Sequence, residues 1–209
     1  MNIREAYNSW SSSYDTVENK TRDLEAIALQ QFLKNRSFSR ILEIGCGTGK
    51  NTERLSQHCE QITAVDFSEG MLEKAKQKVA SKNVTFIQAD VNQPWHFAIV
   101  PFDLITCSLI LEHIEDLHKF FRQTAAALKP DGLFYVCELH PFKQYNGSKA
   151  RFESQSGVYE LDCFTHHVSD YFNAAVENGL VCENLQEWFD SGDKTQVPRL
   201  ISFVFRKKA

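Results

Sequence analysis

The sequence has no excess of basic residues: 23 Lys and Arg stand against 27 Asp and Glu, a formal net charge of −4. No basic face is implied, so a nucleic-acid partner is not expected. The closing Arg206-Lys207-Lys208 run reads as a solvated tail. No run of about 18 apolar residues is present, so no membrane-spanning helix is expected. The segment Met1 to Glu5 lacks the apolar stretch of a secretory signal. None of the six cysteines falls in a C-x-x-C pair, and their spacing is not that of a disulfide framework. Reduced, largely buried thiols in a cytoplasmic protein are the expectation. The histidines and acids lack H-x-x-x-H or H-E-x-x-H spacing, so no metal site is expected. Repeats, low-complexity tracts and a linker that would split the chain are absent too.

What is present is one domain of 209 residues, long enough to bury a sizeable core. Apolar residues at helical spacing (Leu24, Ile27, Ala28, Gln31 to Leu33) place two helices in the first forty residues. Short apolar runs then predict strands over Arg40–Ile44, Gln61–Val65, Asn83–Gln88, Phe102–Cys107 and Leu133–Glu138. Helical segments alternate with them over Lys50–Gln57, Glu69–Ala80 and Ile114–Leu128, the last stopped by a Lys129-Pro130-Asp131-Gly132 turn. Residues 140–165 are polar and aromatic without a period. A helix over Val168–Asn178 and an antiparallel pair, Leu180–Trp188 and Leu200–Phe205, close the chain. Such alternation predicts an α/β fold, a doubly wound, mainly parallel sheet with helices on both faces.

The strongest motif is Glu43-Ile44-Gly45-Cys46-Gly47-Thr48-Gly49-Lys50, a strand running into a glycine bend and a helix start. Glycines permit positive φ and close approach of a ligand, which then meets the free N–H groups of a helix. The dinucleotide fingerprint G-x-G-x-x-G fails at Lys50, and the phosphate loop fails at Ile44 and Asn51. A ligand without a phosphate to cradle remains. The second strand ends at Asp66, where a carboxylate accepts both hydroxyl protons of a ribose. Capping of the next helix is the alternative role for Asp66, and Ser68 offers the same service. Asp90 ends the third strand and either meets an adenine amino group or serves a turn. Cys107 to Leu111 follow the fourth strand, at the switch-point crevice where such sheets bind ligands, with Leu109 to Leu111 as plain core the alternative.

The segments ILEIGCGTGKNT, AVDFSEGML, QADV, FDLITCSLILEHIED and LKPDGLFYVCE, spanning residues 40 to 139, resemble the successive motifs of class I S-adenosylmethionine-dependent methyltransferases of the small-molecule kind. The resemblance implies a seven-stranded sheet with its last strand antiparallel, and a single methyltransferase domain over 1–209. Within it, 1–38 would be a helical lid and 140–166 an acceptor-binding insertion. It implies S-adenosylmethionine as cofactor, with S-adenosylhomocysteine as product. Glu43, Gly45, Cys46, Gly47 and Gly49 would surround the methionine moiety. Asp66 would hold the ribose, with Phe67 and Met71 against the adenine and Asp90 and Val91 at its edge. Ser108, Leu109 and His113 would lie near the sulfonium. Tyr7 to Trp10, with Tyr14 and Asp15, resemble the family's aromatic lid; a helix packing these rings onto the core is the alternative. The Asn-Pro-Pro-Tyr motif of base-methylating relatives is absent, Cys107 to Ile110 standing in its place.

Methyl transfer from a sulfonium is an in-line displacement with a good leaving group. Alignment supplies on the order of 7–11 kcal/mol of such a barrier in favourable cases. A neutral nucleophile also needs a base, for which histidine is suited. His140, after the fifth strand, and His113 are the candidates; a packing role is the alternative for His140. His166 and His167 read as structural or solvent-facing. Phe142, Tyr145, Arg151, Phe152, Tyr159 and Phe164 suggest a planar or anionic small acceptor, or else the core of an insertion. The expected protein is thus a small-molecule methyltransferase, monomeric or homodimeric. A protein methyltransferase and a non-catalytic S-adenosylmethionine-binding module are the alternatives.

Overall fold

Seven strands form one sheet in the computed structural model, which describes residues 3–148, 151–154, 157–160 and 163–208, without the side chains of 151–160. In chain order the strands are β1 (Phe38–Ile44), β2 (Cys59–Asp66), β3 (Val84–Gln88), β4 (Phe102–Ser108), β5 (Leu128–Leu139), β6 (Arg151–Ser154), β7 (Gly157–Glu160), β8 (Leu180–Trp188) and β9 (Leu200–Lys207). The α-helices are α1 (Ile3–Trp10), α2 (Lys20–Leu33), α3 (Lys50–Leu55), α4 (Glu69–Lys78), α5 (Leu117–Ala127), α6 (Pro141–Tyr145) and α7 (Val168–Glu177). The main sheet runs β3-β2-β1-β4-β5-β9-β8, and β6 pairs with β7 as a separate hairpin. Strands β1 to β5 pair in parallel, whereas β9 lies antiparallel to both β5 and β8. The doubly wound order expected from the sequence is the one observed.

Period-two alternation divides the sheet into two buried faces. On one, Leu42, Ile105, Phe134, Val136, Phe203 and Phe205 pack against Phe120 and Phe121 of α5 and Tyr171 of α7. On the other, Ile41, Ile62, Leu104, Leu133 and Tyr135 pack against Ala28, Leu29 and Leu33 of α2 and Leu55 of α3. Ile27, counted by its spacing with the apolar stripe of α2, is instead 56% exposed. Phe134 lies at the centre of an aromatic stack, its ring 5.3 Å from Phe121 and 6.1 Å from Phe205. No disulfide joins the cysteines among the described residues, and Cys46, Cys107 and Cys137 are buried.

Two local expectations are corrected. The Lys129-Pro130-Asp131-Gly132 segment does not end α5, which stops at Ala127 and passes straight into β5. Leu128 pairs with Phe102 and Leu133 with Leu104, so the segment bulges out of a strand that continues on both sides. Asp131 at φ +61° and a proline without an N–H cannot hold the ladder between those pairs. The second correction is the β6–β7 hairpin and α6, which lie in the stretch that shows no period in the sequence. Among the described residues no helix is long and apolar enough to cross a membrane.

The direction of winding reverses between β1 and β4, whose carboxyl ends diverge into loops on either side. That opens the crevice in which open α/β sheets place their ligands.

Candidate functional site

A cavity fills this crevice. It is walled by the bend after β1, the ends of β2 and β4, and the segments after β3 and β4, and it is roofed by α1 and the chain that follows. The bend follows directly from its glycines: Gly45, Gly47 and Gly49 all have positive φ. A Cβ added at Gly47 would meet nothing within 4 Å, so the backbone there lies open to the cavity. Gly49 is different. It is the N-cap of α3, and an added Cβ would lie 2.9 Å from Val79 Cγ2 and 3.2 Å from Ala75 Cα. Gly49 therefore seats the bend against α4 and, unlike the other glycines, does not line the cavity.

Asp66 ends β2 and is buried. Its Oδ2 accepts from Gly47 N–H at 2.9 Å and its Oδ1 from Ser68 N–H at 2.8 Å. A carboxylate offers about four acceptor positions, so capacity remains for a ligand. Ser68 is the cap of α4, accepting from Met71 N–H at 3.2 Å. Burial raises the Asp66 carboxyl above its ordinary value, and the backbone donors oppose that rise. Glu43, also buried, accepts from Thr52 Oγ1 at 2.6 Å. Burial pushes its carboxyl up to about 8, with the Thr52 bond opposing and the charges of Glu25 and Asp66 adding. Glu25, from α2, is a third buried carboxyl on the cavity wall, raised by burial and steadied by Asn51 Nδ2 at 2.9 Å. Three desolvated carboxyls around one space favour a cationic occupant.

The turn after β4 is strained and tied down. Leu109, a non-glycine residue at φ +57°, donates its N–H to Cys137 O. Ile110 N–H and Leu111 N–H both donate to Glu138 Oε1, at 3.0 and 3.1 Å. Burial lifts Glu138, at the end of β5, to about 8. Ser108, Leu109 and His113 all line the cavity, as do Phe67, Met71, Asp90, Val91 and Tyr14. Asp90 also accepts from Asn92 N–H at 2.9 Å, the turn role that was its alternative. Thr106 Oγ1, on the same wall, has no hydrogen-bond partner among the described residues.

The roof is held by polar bonds as well as by rings. Tyr7 Oη lies 2.9 Å from His113 Nε2. Asn8 Oδ1 accepts from Ser68 Oγ at 2.6 Å, and Asp15 Oδ1 from Thr48 Oγ1 at 2.7 Å. Asp15 also pairs with Lys78 of α4. Tyr7 packs 5.9 Å from Phe67, and Arg22 stacks 4.1 Å over Tyr14. Beside the cavity lies a groove that shares Tyr7, Tyr14, Arg22 and Leu109 with it and extends past Trp10 to Leu139, Lys143 and Arg199.

His140 stands apart from both spaces. It is 1% exposed, caps α6 by accepting Phe142 N–H on Nδ1 at 3.2 Å, and meets Glu187 Oε1 through Nε2 at 3.1 Å. Burial lowers its pKa, and both ring nitrogens are engaged. The base assignment for His140 therefore gives way to the packing role, and His113 is the histidine at the cavity. His166 is buried too, its Nε2 2.7 Å from Ile114 O. Phe142, Tyr145 and Phe164 are largely exposed, while the side chains of Arg151, Phe152 and Tyr159 lie outside the described residues. Glu25 and Glu138 were not singled out by sequence reasoning: the first belongs to a helix far from the glycine bend, the second to the end of a core strand.

Crevice, glycine bend and carboxylate-tipped second strand define a class: α/β proteins that bind a nucleoside-bearing ligand without a pyrophosphate. Residues 41–132 match the methyltransferase-domain family model. The ubiquinone biosynthesis O-methyltransferase of Coxiella burnetii is 34% identical over 125 residues, 58% of this chain and 52% of that protein. The malonyl-[acyl-carrier protein] O-methyltransferase of Priestia megaterium is 32% identical over 165 residues, 75% of this chain and 59% of that protein. The chain thus spans between half and three-fifths of the length of these two relatives. Among solved structures, the N-methyltransferase NodS of Bradyrhizobium japonicum with S-adenosyl-L-homocysteine shares the fold at a TM-score of 0.75 and 18% identity, covering 100% of both chains. Residues 41–132 thus carry a methyltransferase domain, and the fold around it is similar to that of S-adenosylmethionine-dependent methyltransferases.

Proposed function

We propose that the protein transfers a methyl group from S-adenosylmethionine to a small-molecule acceptor and releases S-adenosylhomocysteine. The observation that carries this reading is the cavity itself: an open glycine bend beside three buried carboxyls, Glu25, Glu43 and Asp66. A donor with a sulfonium and an ammonium group favours the ionised form of these carboxyls and complements the charge they then carry. The open Cβ position at Gly47 and the unpartnered Thr106 hydroxyl fit a ligand in the same place.

When bound, the donor supplies an electrophilic methyl group on sulfur. Asp66 keeps acceptor capacity for the ribose hydroxyls while its backbone bonds hold it in place. Gly45, Cys46 and Gly47 offer backbone to the methionine moiety, with Glu43 behind them. Phe67, Met71, Asp90 and Val91 enclose the adenine, Ser108 and Leu109 border the reacting end, and α1 with Tyr14 excludes water above. Tyr7 borders both cavity and groove and hydrogen-bonds His113. With His113 Nε2 unprotonated, the Tyr7 phenol proton moves to that nitrogen as Tyr7 Oη takes the proton leaving an acceptor hydroxyl. The names of the two O-methyltransferase relatives support a small acceptor.

The test is a labelled-methyl transfer assay against fractionated metabolites. His113→Ala is expected to lower turnover about 10²-fold or more, with S-adenosylhomocysteine affinity nearly unchanged. Full turnover in that variant would remove His113 from catalysis. His140→Ala is expected to lower stability instead, by about 1–2 kcal/mol through its lost cap.

Glu43 gives a pH dependence. Its folded value of about 8 lies above the ordinary 4.5, so the folded state holds a proton the unfolded chain has released. Stability is therefore undiminished below about pH 4.5, falls as pH rises from there, and has lost this contribution above about 8. Glu43→Gln should raise the melting temperature at pH 8.5 relative to wild type, with the difference vanishing near pH 4.5. An equal difference at both values would contradict the assignment. A cationic ligand favours ionised Glu43, so binding it at pH 7 should release a proton, readable by calorimetry in buffers of different ionisation enthalpy.

A further inference from the structure

The groove beside the cavity has the opposite electrostatic character. Lys20, Arg22, Lys143 and Arg199 line it, against Glu18 and Glu112. Glu112 is 9% exposed, and burial raises its carboxyl. Arg199 is paired with Asp190 in a two-bond fork, Nε donating to Oδ1 and Nη2 to Oδ2. Asp190 is held low by that pair first, and further by the charges of Lys143 and Lys20. Three cations thus converge on one carboxylate. No carboxylate pairs with Lys20 or Lys143 among the described residues. Arg22 donates to Tyr14 O and Val17 O, but its buried Nε has no hydrogen-bond partner there. The groove's wall nearest the cavity is aromatic: Trp10 and Tyr14 meet edge to face at 4.7 Å, and Tyr7 lies 5.8 Å from Trp10.

We propose that this groove binds the methyl acceptor as a planar small molecule carrying an oxyanion, a carboxylate or a phosphate, with Lys20 and Lys143 receiving the anion. Arg199 is a positioning residue, fixed by Asp190 and Thr21 at the far end of the groove. The aromatic wall takes the planar body and leaves its nucleophile at Tyr7 and Leu109, the residues the groove shares with the cavity. Charge is thereby sorted along the site: acids surround the donor's cation, and bases hold the acceptor's anion away from it. The proposal rests on the methyltransferase reading above for the word acceptor; the preference for an anion rests on the groove alone.

The test is calorimetric titration of the full chain with 4-hydroxybenzoate, 4-hydroxybenzamide and phenyl phosphate, with and without S-adenosylhomocysteine. At least one of the two anions should bind tenfold or more tightly than the amide, and which one does so tells carboxylate from phosphate. The double variant K20E/K143E should lose that preference while keeping its S-adenosylhomocysteine affinity within about twofold. Equal affinity for anions and amide, no binding of either anion, or unchanged preference in the variant would overturn the proposal. Lack of S-adenosylhomocysteine binding in the wild type, with the anion preference intact, would overturn the donor reading and leave the groove's anion preference standing.

Discussion

Asp66→Ala should reduce S-adenosylmethionine affinity by about 100-fold or more. Two hydrogen bonds from ligand hydroxyls to a charged acceptor contribute about 1.5 kcal/mol each at the low end, and every 1.4 kcal/mol is tenfold. The substitution also removes the acceptor for Gly47 N–H and Ser68 N–H. Leaving those donors unpaired should lower stability by about 2 kcal/mol or more. Asp66→Asn separates the two effects. Its amide oxygen still accepts from the backbone, so stability should largely recover, whereas the lost charge and lone pairs still weaken ligand binding. Paired calorimetric and thermal-denaturation measurements on the two variants check this. Wild-type affinity in both would remove Asp66 from the site.

Gly47→Leu should abolish detectable binding while the protein stays folded. At φ +52° an L-residue costs about 1–2 kcal/mol, which a domain of this size tolerates. The new side chain starts in open space on the cavity wall and extends into the volume required by the ligand. Gly49→Leu is the control with the opposite signature. Its Cβ would press on Val79 and Ala75, so the loss should appear first in stability and only through that in binding. Retained binding by a folded Gly47→Leu protein would mean that the glycine bend does not face the ligand.

The parts legible in the sequence are those whose cause is local. Short apolar runs predict β1 to β5, β8 and β9 because strands that feed a buried core admit little else. The spacing of Gly45, Gly47 and Gly49 against Asp66 anticipates the Asp66–Gly47 bond because adjacent parallel strands put their ends side by side. The histidines show where locality ends. His140 reads as a base because it follows β5, yet its chemistry is set by Glu187, 47 residues away on β8. Conversely, His113 gains its phenol partner from Tyr7, 106 residues earlier. Glu138 looks like the tail of a core strand, and only the fold brings it to the Ile110 and Leu111 amides. Glu25 belongs to a helix whose apolar stripe is visible, but no pattern reveals that the helix lies beside Asn51. The bulge at Lys129 to Gly132 has turn chemistry, and pairing on both sides of it is a property of β4 and β5 together.

On the function proposed above, the acid-walled crevice between β1 and β4 takes an adenosyl sulfonium rather than a dinucleotide. Calorimetric titration of the wild-type chain with S-adenosylhomocysteine and, separately, with NAD tests it most directly. Saturable binding of S-adenosylhomocysteine at one site per chain, with no heat from NAD, is the expected result. Tight NAD binding with none of S-adenosylhomocysteine would contradict it.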